Sequence, residues 1–146
     1  MDQTLKLLKE LTDAHGVAGY EAEIRALVRR YLEELGSIEQ DRIGSVVCRQ
    51  GESGPRVMLA GHMDEIGFMI NHITNEGFLK FLPLGGWWDQ VLLGQRVIIK
   101  THKGDLLGVI GAKPPHMLPP DDRKKLVERK SLSLILVIYL VYQKIY

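Results

Sequence analysis

The 146-residue chain has little of several features that mark special classes of protein. It contains one cysteine, Cys48, which excludes an internal disulfide framework and fits a reducing compartment such as the cytoplasm. Its 19 basic and 18 acidic residues give a formal net charge of +1, so no global field attracts nucleic acid or an anionic membrane. We therefore expect a cytoplasmic protein without a nucleic-acid or membrane partner.

Long hydrophobic runs are also scarce. Residues 1–16 alternate charged and apolar side chains at helical spacing and lack the apolar core of a signal peptide. The longest apolar stretch, near the C-terminus, has about eleven residues, roughly half of what a bilayer-spanning helix needs. The remaining composition, 45% hydrophobic and 25% charged, is typical of a globular fold of one domain or of one small domain with part of a second.

The order of apolar patterns predicts an α/β fold. Leucines at helical spacing indicate a first helix over residues 4–14, with Thr4 as its cap, and a second helix extends to the stop at Gly36. Short β-rich runs follow, separated by turn signals such as "GESGP", "TNEG" and "HKGD". Helices followed by many strands indicate a mixed α/β start that passes, near residues 71–75, into a β-rich unit.

The stretch "LAGHMDEIGFMI", residues 59–70, combines an apolar run with ionisable side chains. The preceding "RVMLAGH" predicts a strand covered on both faces, as in a parallel sheet, and ligands collect beyond the carboxyl ends of such strands. Alternation along an extended chain puts His62 and Asp64 on one side. A metal-bound imidazole usually donates its second N–H to a carboxylate or carbonyl. The pair therefore fits a metal ligand with its orienting partner, or else a turn closed by hydrogen bonds.

The order and spacing of several motifs carry a family resemblance. "GVAGYE", "DRIGSVV", "VMLAGHMDEIGFMI", "GFLKFLPLGG" and "GQRVIIKTHKGDLLGVIGAKPPHMLPPDDRKKLVE" follow one another over residues 1 to about 130. The chain resembles the N-terminal part of the tetrahedral (TET) dinuclear-metal aminopeptidases, whose members are often labelled endoglucanase or cellulase. The resemblance implies the N-terminal part of a zinc-peptidase-like catalytic domain at residues 1–72 and an incomplete, barrel-like dimerisation insert at residues 73–130.

The resemblance also implies a function and its residues. His62 looks like the first metal ligand and Asp64 like its catalytic neighbour, whereas Glu65 receives no catalytic role. The family uses two divalent ions, zinc or cobalt, to remove N-terminal residues from short peptides, and it forms homo-oligomers. The alternatives are a non-catalytic dimerisation or interaction fragment and a related metal-dependent amidohydrolase such as a deacetylase.

This sequence departs from the family pattern after residue 130. The family's remaining ligands and its general base have no counterpart here, so we expect the chain alone to be inactive, since a catalytic zinc normally has three protein ligands. Residues 131–146 form a divergent apolar tail. Suitable codons for residues 133–137 read in an adjacent frame as Ile-Asp-Ile-Gly, the family's continuation, which suggests a frameshift. We expect residues 1–130 to keep their fold without the tail.

Other chemically interesting residues have ordinary explanations. We expect His15 to finish the first helix, and His72, His102 and His116 to occupy solvent-facing turns in or near the insert. Burial or a subunit contact is favoured for Trp87 and Trp88 over a role in a sugar groove. Glycan hydrolysis needs two carboxylic acids that flank a sugar cleft, and the sequence shows no such pair.

Overall fold

The computed structural model describes residues 2–136, which form an α/β fold with two helices and two sheets. Helix α1 spans Gln3–Asp13. Its N-cap is Asp2, not Thr4, because the Asp2 carboxylate accepts a hydrogen bond from the Thr4 backbone N–H at 3.3 Å. Among the described residues, no helix has the length and apolar character needed to cross a membrane.

The second predicted helix is also present, as α2 over Ala22–Leu32. Polar side chains join it to α1, since the Tyr31 hydroxyl donates to Glu10 Oε2 at 2.9 Å and the Arg30 guanidinium pairs with the same oxygen. On the inner face of α2, Ile24 is buried. The helical periodicity therefore identified both helices, although α2 ends four residues before Gly36 and continues as a turn.

A short hairpin follows the helices. Strands β1 (Ser37–Gln40) and β2 (Val46–Arg49) pair antiparallel, with Ile38 opposite Cys48. The Asp41 carboxylate closes the connection by accepting backbone N–H bonds from Ile43 and Ser45 at 3.0 and 2.8 Å. This is the aspartate-capped turn that a short polar side chain forms readily.

The prediction of a strand at "RVMLAGH" is wrong. Residues 52–64 contain no strand, and Val57, Met58 and Leu59 are 82%, 87% and 95% exposed. A strand inside a parallel sheet obtains its hydrogen bonds from neighbouring strands and its cover from helices on both faces. The described residues provide neither for this segment, so its apolar side chains remain in contact with solvent.

The larger sheet has five strands in the order β3-β4-β7-β6-β5. Its strands are β3 (Gly67–Ile73), β4 (Leu79–Leu84), β5 (Arg96–Thr101), β6 (Gly104–Gly111) and β7 (Ser133–Leu136). β5 and β6 form an antiparallel hairpin at the predicted turn sequence "HKGD", and β7 inserts antiparallel between β4 and β6. The short turn sequence thus located this hairpin correctly.

One face of this sheet carries the core. Its buried side chains form a single cluster: Leu79, Phe81, Leu92, Ile99, Ile110, Leu132 and Leu134. Phe68 extends the cluster because its ring stands edge-on to Phe81, with centroids 4.8 Å apart, and stacks on Trp87 at 4.7 Å. Trp87 is partly buried against the core, in agreement with the sequence expectation, whereas the neighbouring Trp88 is 74% exposed.

The described chain divides into two compact units, the first ending at Gly67 and the second beginning at Phe68. The predicted boundary between residues 72 and 73 falls inside β3. β7 contradicts the expectation that residues 1–130 are independent of the segment that follows, because Leu132 and Leu134 are each only 2% exposed. The rest of the predicted apolar tail lies outside the described residues, and its origin in a frameshift stays a prediction.

Candidate functional site

The two side chains that the sequence singled out lie in contact. His62 Nδ1 is 3.1 Å from Asp64 Oδ1 and 3.1 Å from the Asp64 carbonyl oxygen. The imidazole is 86% exposed and the carboxylate 45% exposed. Two residues of loop therefore fold back so that one carboxylate and one carbonyl hold the same ring nitrogen.

This contact decides which nitrogen of His62 is available for binding. A carboxylate and a carbonyl are both acceptors, so the hydrogen bonds require the proton on Nδ1. In the neutral ring, Nε2 then carries the free lone pair. An imidazole whose second nitrogen donates to a carboxylate or carbonyl is the usual arrangement of a metal-bound histidine.

The donor set fits one protein ligand of a divalent metal ion and its orienting partner. In the part of the chain that the structure describes, no three or more histidine, cysteine, aspartate or glutamate side chains are grouped closely enough to hold a metal. Catalytic zinc normally has three protein ligands. The geometry of residues 62–64 thus supports a contribution to a metal centre and does not form a complete one.

Glu65 links this loop to the connection between α1 and α2. Its backbone N–H donates to the Gly16 carbonyl at 2.8 Å, while its Oε1 accepts from the Gly16 N–H at 3.0 Å. A parallel bridge also joins Val17 to Glu65. His15 Nδ1 lies 4.0 Å from the same Oε1. The loop after the candidate ligand is therefore held at both the backbone and the side chain.

Two glycines allow this close approach. A Cβ added to Gly16 would lie 2.5 Å from the Ile24 side chain and 3.5 Å from the Met63 carbonyl oxygen. A Cβ added to Gly67 would lie 2.5 Å from the Val17 side chain. Any larger residue at these positions would force the connection, α2 and the loop apart. The glycines of "GVAG" and "DEIG" thus have a packing role here.

Sequence reasoning missed the part played by Gly16 and Glu65. The two residues are 49 positions apart, and no local periodicity reports a contact over that separation. His15 lies beside the hydrogen bonds between Gly16 and Glu65, although it was expected only to finish the first helix. His72, His102 and His116 are exposed, as predicted, but only His102 lies in a turn, since His72 belongs to β3 and His116 to a short 3-10 helix.

Comparison with known proteins identifies the family. The sequence model of the M42 glutamyl aminopeptidase family matches residues 44–135, a range that includes His62, Asp64 and Glu65. The chain belongs to the M42 glutamyl aminopeptidase family. A second sequence model, AMPT, matches residues 2–27, which contain α1 and Gly16. The resemblance drawn from the ordered motifs is therefore confirmed.

Individual M42 relatives and their structures agree with this assignment. A lysyl aminopeptidase of Pyrococcus furiosus is 40% identical over 114 residues, 77% of this chain and 33% of its own length. The crystal structure of a TET aminopeptidase from a marine sediment Thaumarchaeota archaeon matches with a TM-score of 0.88 at 45% identity, covering 93% of this chain and 39% of that chain. The TET1 peptidase of Pyrococcus horikoshii, which can assemble into a tetrahedron or a large octahedral shell, matches with a TM-score of 0.81 at 37% identity, over 92% and 41% of the two chains.

The M42 chain described here spans about a third of the length of the curated relatives that it matches. The fold similarity extends over both compact units, since the Thaumarchaeota structure covers 93% of the chain. Membership of the family therefore rests on sequence and fold together.

Proposed function

We propose that this chain contributes the first metal ligand, His62, and its catalytic neighbour, Asp64, to a metal-dependent aminopeptidase that removes N-terminal residues from short peptides. The observation that carries the proposal is the contact of His62 Nδ1 with two oxygens of Asp64, at 3.1 Å each. It leaves Nε2 as the free ligand atom of an M42 family member. The family match over residues 44–135, a range that contains both residues, supports this assignment over a turn-closing role or an amidohydrolase role.

Each residue has a separate task in this proposal. Asp64 keeps the proton on Nδ1 and fixes the ring, which raises the basicity of Nε2. His62, 86% exposed, offers that nitrogen outward without having to displace a neighbouring side chain. When bound, divalent ions such as zinc or cobalt polarise the scissile carbonyl and supply hydroxide at neutral pH. The general base and the further ligands are expected outside the residues named here.

The two compact units suit two different tasks. We assign the unit that ends at Gly67 to the catalytic domain and the β-rich unit that begins at Phe68 to the dimerisation insert. Ile98 and Leu107 face each other across β5 and β6 on the side of the sheet away from the core, and they are 51% and 45% exposed. We propose that this pair forms part of a larger apolar surface for self-association. The assembly of the Pyrococcus horikoshii relative into closed shells supports a homo-oligomer too.

The compartment proposed for this reaction is the cytoplasm. The only thiol in the sequence is Cys48, which is half-buried and unpaired. Its Sγ lies 3.5 Å from the Leu32 carbonyl oxygen, as expected for a small packed side chain. A chain that uses no disulfide for stability is suited to a reducing environment.

The experiment joins residues 1–136 to the part of the Pyrococcus furiosus lysyl aminopeptidase that follows its matched segment. The hybrid is assayed with aminoacyl anilides in zinc or cobalt. We expect metal-dependent release of the N-terminal residue. His62→Ala should reduce kcat/KM by at least about a thousandfold, because catalysis by a zinc site depends on its full set of protein ligands.

The matched control for this test is His102→Ala, which removes an exposed imidazole from the turn between β5 and β6. It should leave kcat/KM unchanged within about twofold, as expected for an exposed residue away from the site. Full activity of the hybrid after His62→Ala would defeat the assignment of His62. Cleavage of N-acetylated substrates with no release of free N-terminal residues would favour the amidohydrolase alternative.

A further inference from the structure

The loop that presents His62 has little local support. In the described part of the chain, residues 52–61 take part in no backbone hydrogen bond. Val57, Met58 and Leu59, five to three residues before His62, are more than four-fifths exposed. Such a segment samples many conformations unless something downstream fixes it. The ring of His62 can be held in one orientation only if the loop is anchored after Asp64.

Glu65 provides that anchor through two hydrogen bonds of opposite direction with one residue. Its N–H donates to the Gly16 carbonyl at 2.8 Å, and its Oε1 accepts from the Gly16 N–H at 3.0 Å. Two bonds to the same residue, one from the Glu65 backbone and one to its side chain, fix the position and the orientation of Glu65. Because Asp64 directly precedes Glu65, its carbonyl and carboxylate are fixed as well.

The anchor leads to the packed part of the first unit. Gly16 is buried and lies against Ile24, the buried side chain of α2. The Met63 carbonyl lies against the same glycine. The chain of contacts therefore runs from α2 through Gly16 to Glu65, and from there to Asp64 and His62.

We propose that Glu65 is a positioning residue for the candidate metal ligand: by clamping Gly16 it holds Asp64 against His62 and keeps the proton of the imidazole on Nδ1. This inference rests on the proposed function for its catalytic meaning. Its structural content, the coupling of the Glu65 side chain to the His62 tautomer, is testable without any activity.

The side-chain hydrogen bond of the clamp requires an acceptor oxygen at residue 65. Gln retains an oxygen that can accept from the Gly16 N–H, whereas Ala removes it. The His15 ring, 4.0 Å from Oε1, is the other neighbour of this carboxylate. Glu65→Gln removes the charge that His15 faces and keeps the acceptor, so it separates the clamp from an ion pair with His15.

The experiment compares the 146-residue chain with Glu65→Ala, Glu65→Gln and the control Glu52→Ala, which removes an exposed glutamate from the loop before the site. Imidazole nitrogen spectra at mildly alkaline pH report the His62 tautomer, and amide hydrogen exchange reports the Gly16 N–H. Tryptophan emission reports the second unit, which contains both Trp87 and Trp88.

We expect a single Nδ1–H tautomer of His62 in the unmodified chain, in Glu65→Gln and in Glu52→Ala. In Glu65→Ala, the His62 signals should move to a mixture of both tautomers, and Gly16 exchange should rise by about tenfold, the factor expected for loss of one hydrogen bond. Tryptophan emission should not change. If Glu65→Ala unfolds the first unit, the proposal is decided by Glu65→Gln together with His15→Ala, both of which should keep the Nδ1–H tautomer.

Two results would overturn the proposal. One is an unchanged His62 tautomer in a folded Glu65→Ala chain. The other is a Glu65→Gln chain that loses the tautomer or the Gly16 protection, because the retained acceptor would then not be the cause. Since neither result depends on peptide cleavage, failure of this inference is distinguishable from failure of the proposed function in the hybrid assay.

Discussion

The two compact units of this chain differ in what holds them together. Of the eight hydrophobic side chains that are buried among residues 2–136, seven belong to the second unit and only Ile24 to the first. The second unit closes a five-stranded sheet over an apolar cluster, whereas the first consists of two helices, a hairpin and an exposed apolar loop. Hydrophobic burial is the dominant favourable term in folding. The second unit should therefore be the more stable part of the chain.

The chemistry is distributed in the opposite way. His62, Asp64 and the Glu65–Gly16 clamp all lie in the unit with the smaller core. Because this unit buries little apolar surface, its structure depends more on hydrogen bonds than on burial. Each such polar contact at an exposed position contributes little to stability. The candidate site thus lies where the chain is structurally most dependent on a few specific contacts. The following predictions test that contrast, beginning with the largest effect.

Removing β7 should have the largest effect on the second unit. A chain that ends after Leu136 keeps Leu132 and Leu134 in the core, and a chain that ends after Lys130 loses both. Burial of two leucine side chains is worth about 3–6 kcal/mol, which approaches the stability of a whole domain. The truncation after Lys130 also removes the strand that joins β4 to β6. We expect cooperative thermal unfolding, followed by tryptophan emission, only in the chain that ends at Leu136.

The same comparison tests the interpretation of the tail. If the chain that ends after Lys130 unfolds at the same temperature as the chain that ends after Leu136, β7 is dispensable and the original expectation of an independent segment 1–130 is restored. A single substitution refines the result. Leu134→Ala in the 146-residue chain should lower the free energy of unfolding by about 2–5 kcal/mol. Leu107→Ala, on the exposed face of the sheet, should lower it by much less.

In the first unit, Ile24→Ala should have a smaller effect that stays within that unit. Ile24 is 4% exposed and packs against Gly16, but few other buried side chains surround it. The expected cost is about 2 kcal/mol, at the low end for such a truncation, because a loosely packed site relaxes around the lost volume. Gly16 amide exchange should rise while tryptophan emission remains unchanged.

The control for this prediction is Ile43→Ala, since Ile43 is 88% exposed. Its unfolding free energy should change by less than about 0.5 kcal/mol. If Ile24→Ala shifts the tryptophan transition as much as Leu134→Ala does, the two units share one cooperative core and the contrast drawn here fails.

The structure shows how far the sequence alone could go. Helical spacing identified α1 and α2, and turn chemistry identified the connections between β3 and β4 and between β5 and β6, because these features depend on neighbouring residues. The turn between β1 and β2 was not predicted. The motif order identified the family. The His-x-Asp spacing predicted that His62 and Asp64 lie on one side of the chain, and the structure places them in contact. The strand at residues 56–62 was predicted wrongly, because its apolar pattern indicates that the segment is buried but does not specify the strands and helices that would have to cover it. β7 and the Glu65–Gly16 clamp depend on contacts between residues far apart in the sequence, which local periodicity does not predict.

The smallest predicted effect concerns the turn between β1 and β2. A hydrogen bond from the Ser45 side chain, with further bonds from backbone N–H groups of the turn, lowers the pKa of Asp41 below its ordinary value. A carboxyl group whose pKa is depressed by folding stabilises the folded state above its unfolded pKa, about 3.9 for aspartate. That stabilisation is lost as the pH falls through the lower pKa of the folded state. The hairpin should therefore loosen below about pH 4.

Amide exchange of Ile43 and Ser45, measured as a function of pH, tests this prediction after correction for the intrinsic pH dependence of exchange. We expect the protection of both amides to fall in the acid range in the unmodified chain. Asp41→Asn keeps a side-chain oxygen that can accept from the same two N–H groups, yet it has no charge to lose. Its protection should start lower at neutral pH, because a charged acceptor makes the stronger hydrogen bond, and it should stay constant as the pH falls. An equal acid-induced loss in Asp41→Asn would mean that another group controls the hairpin.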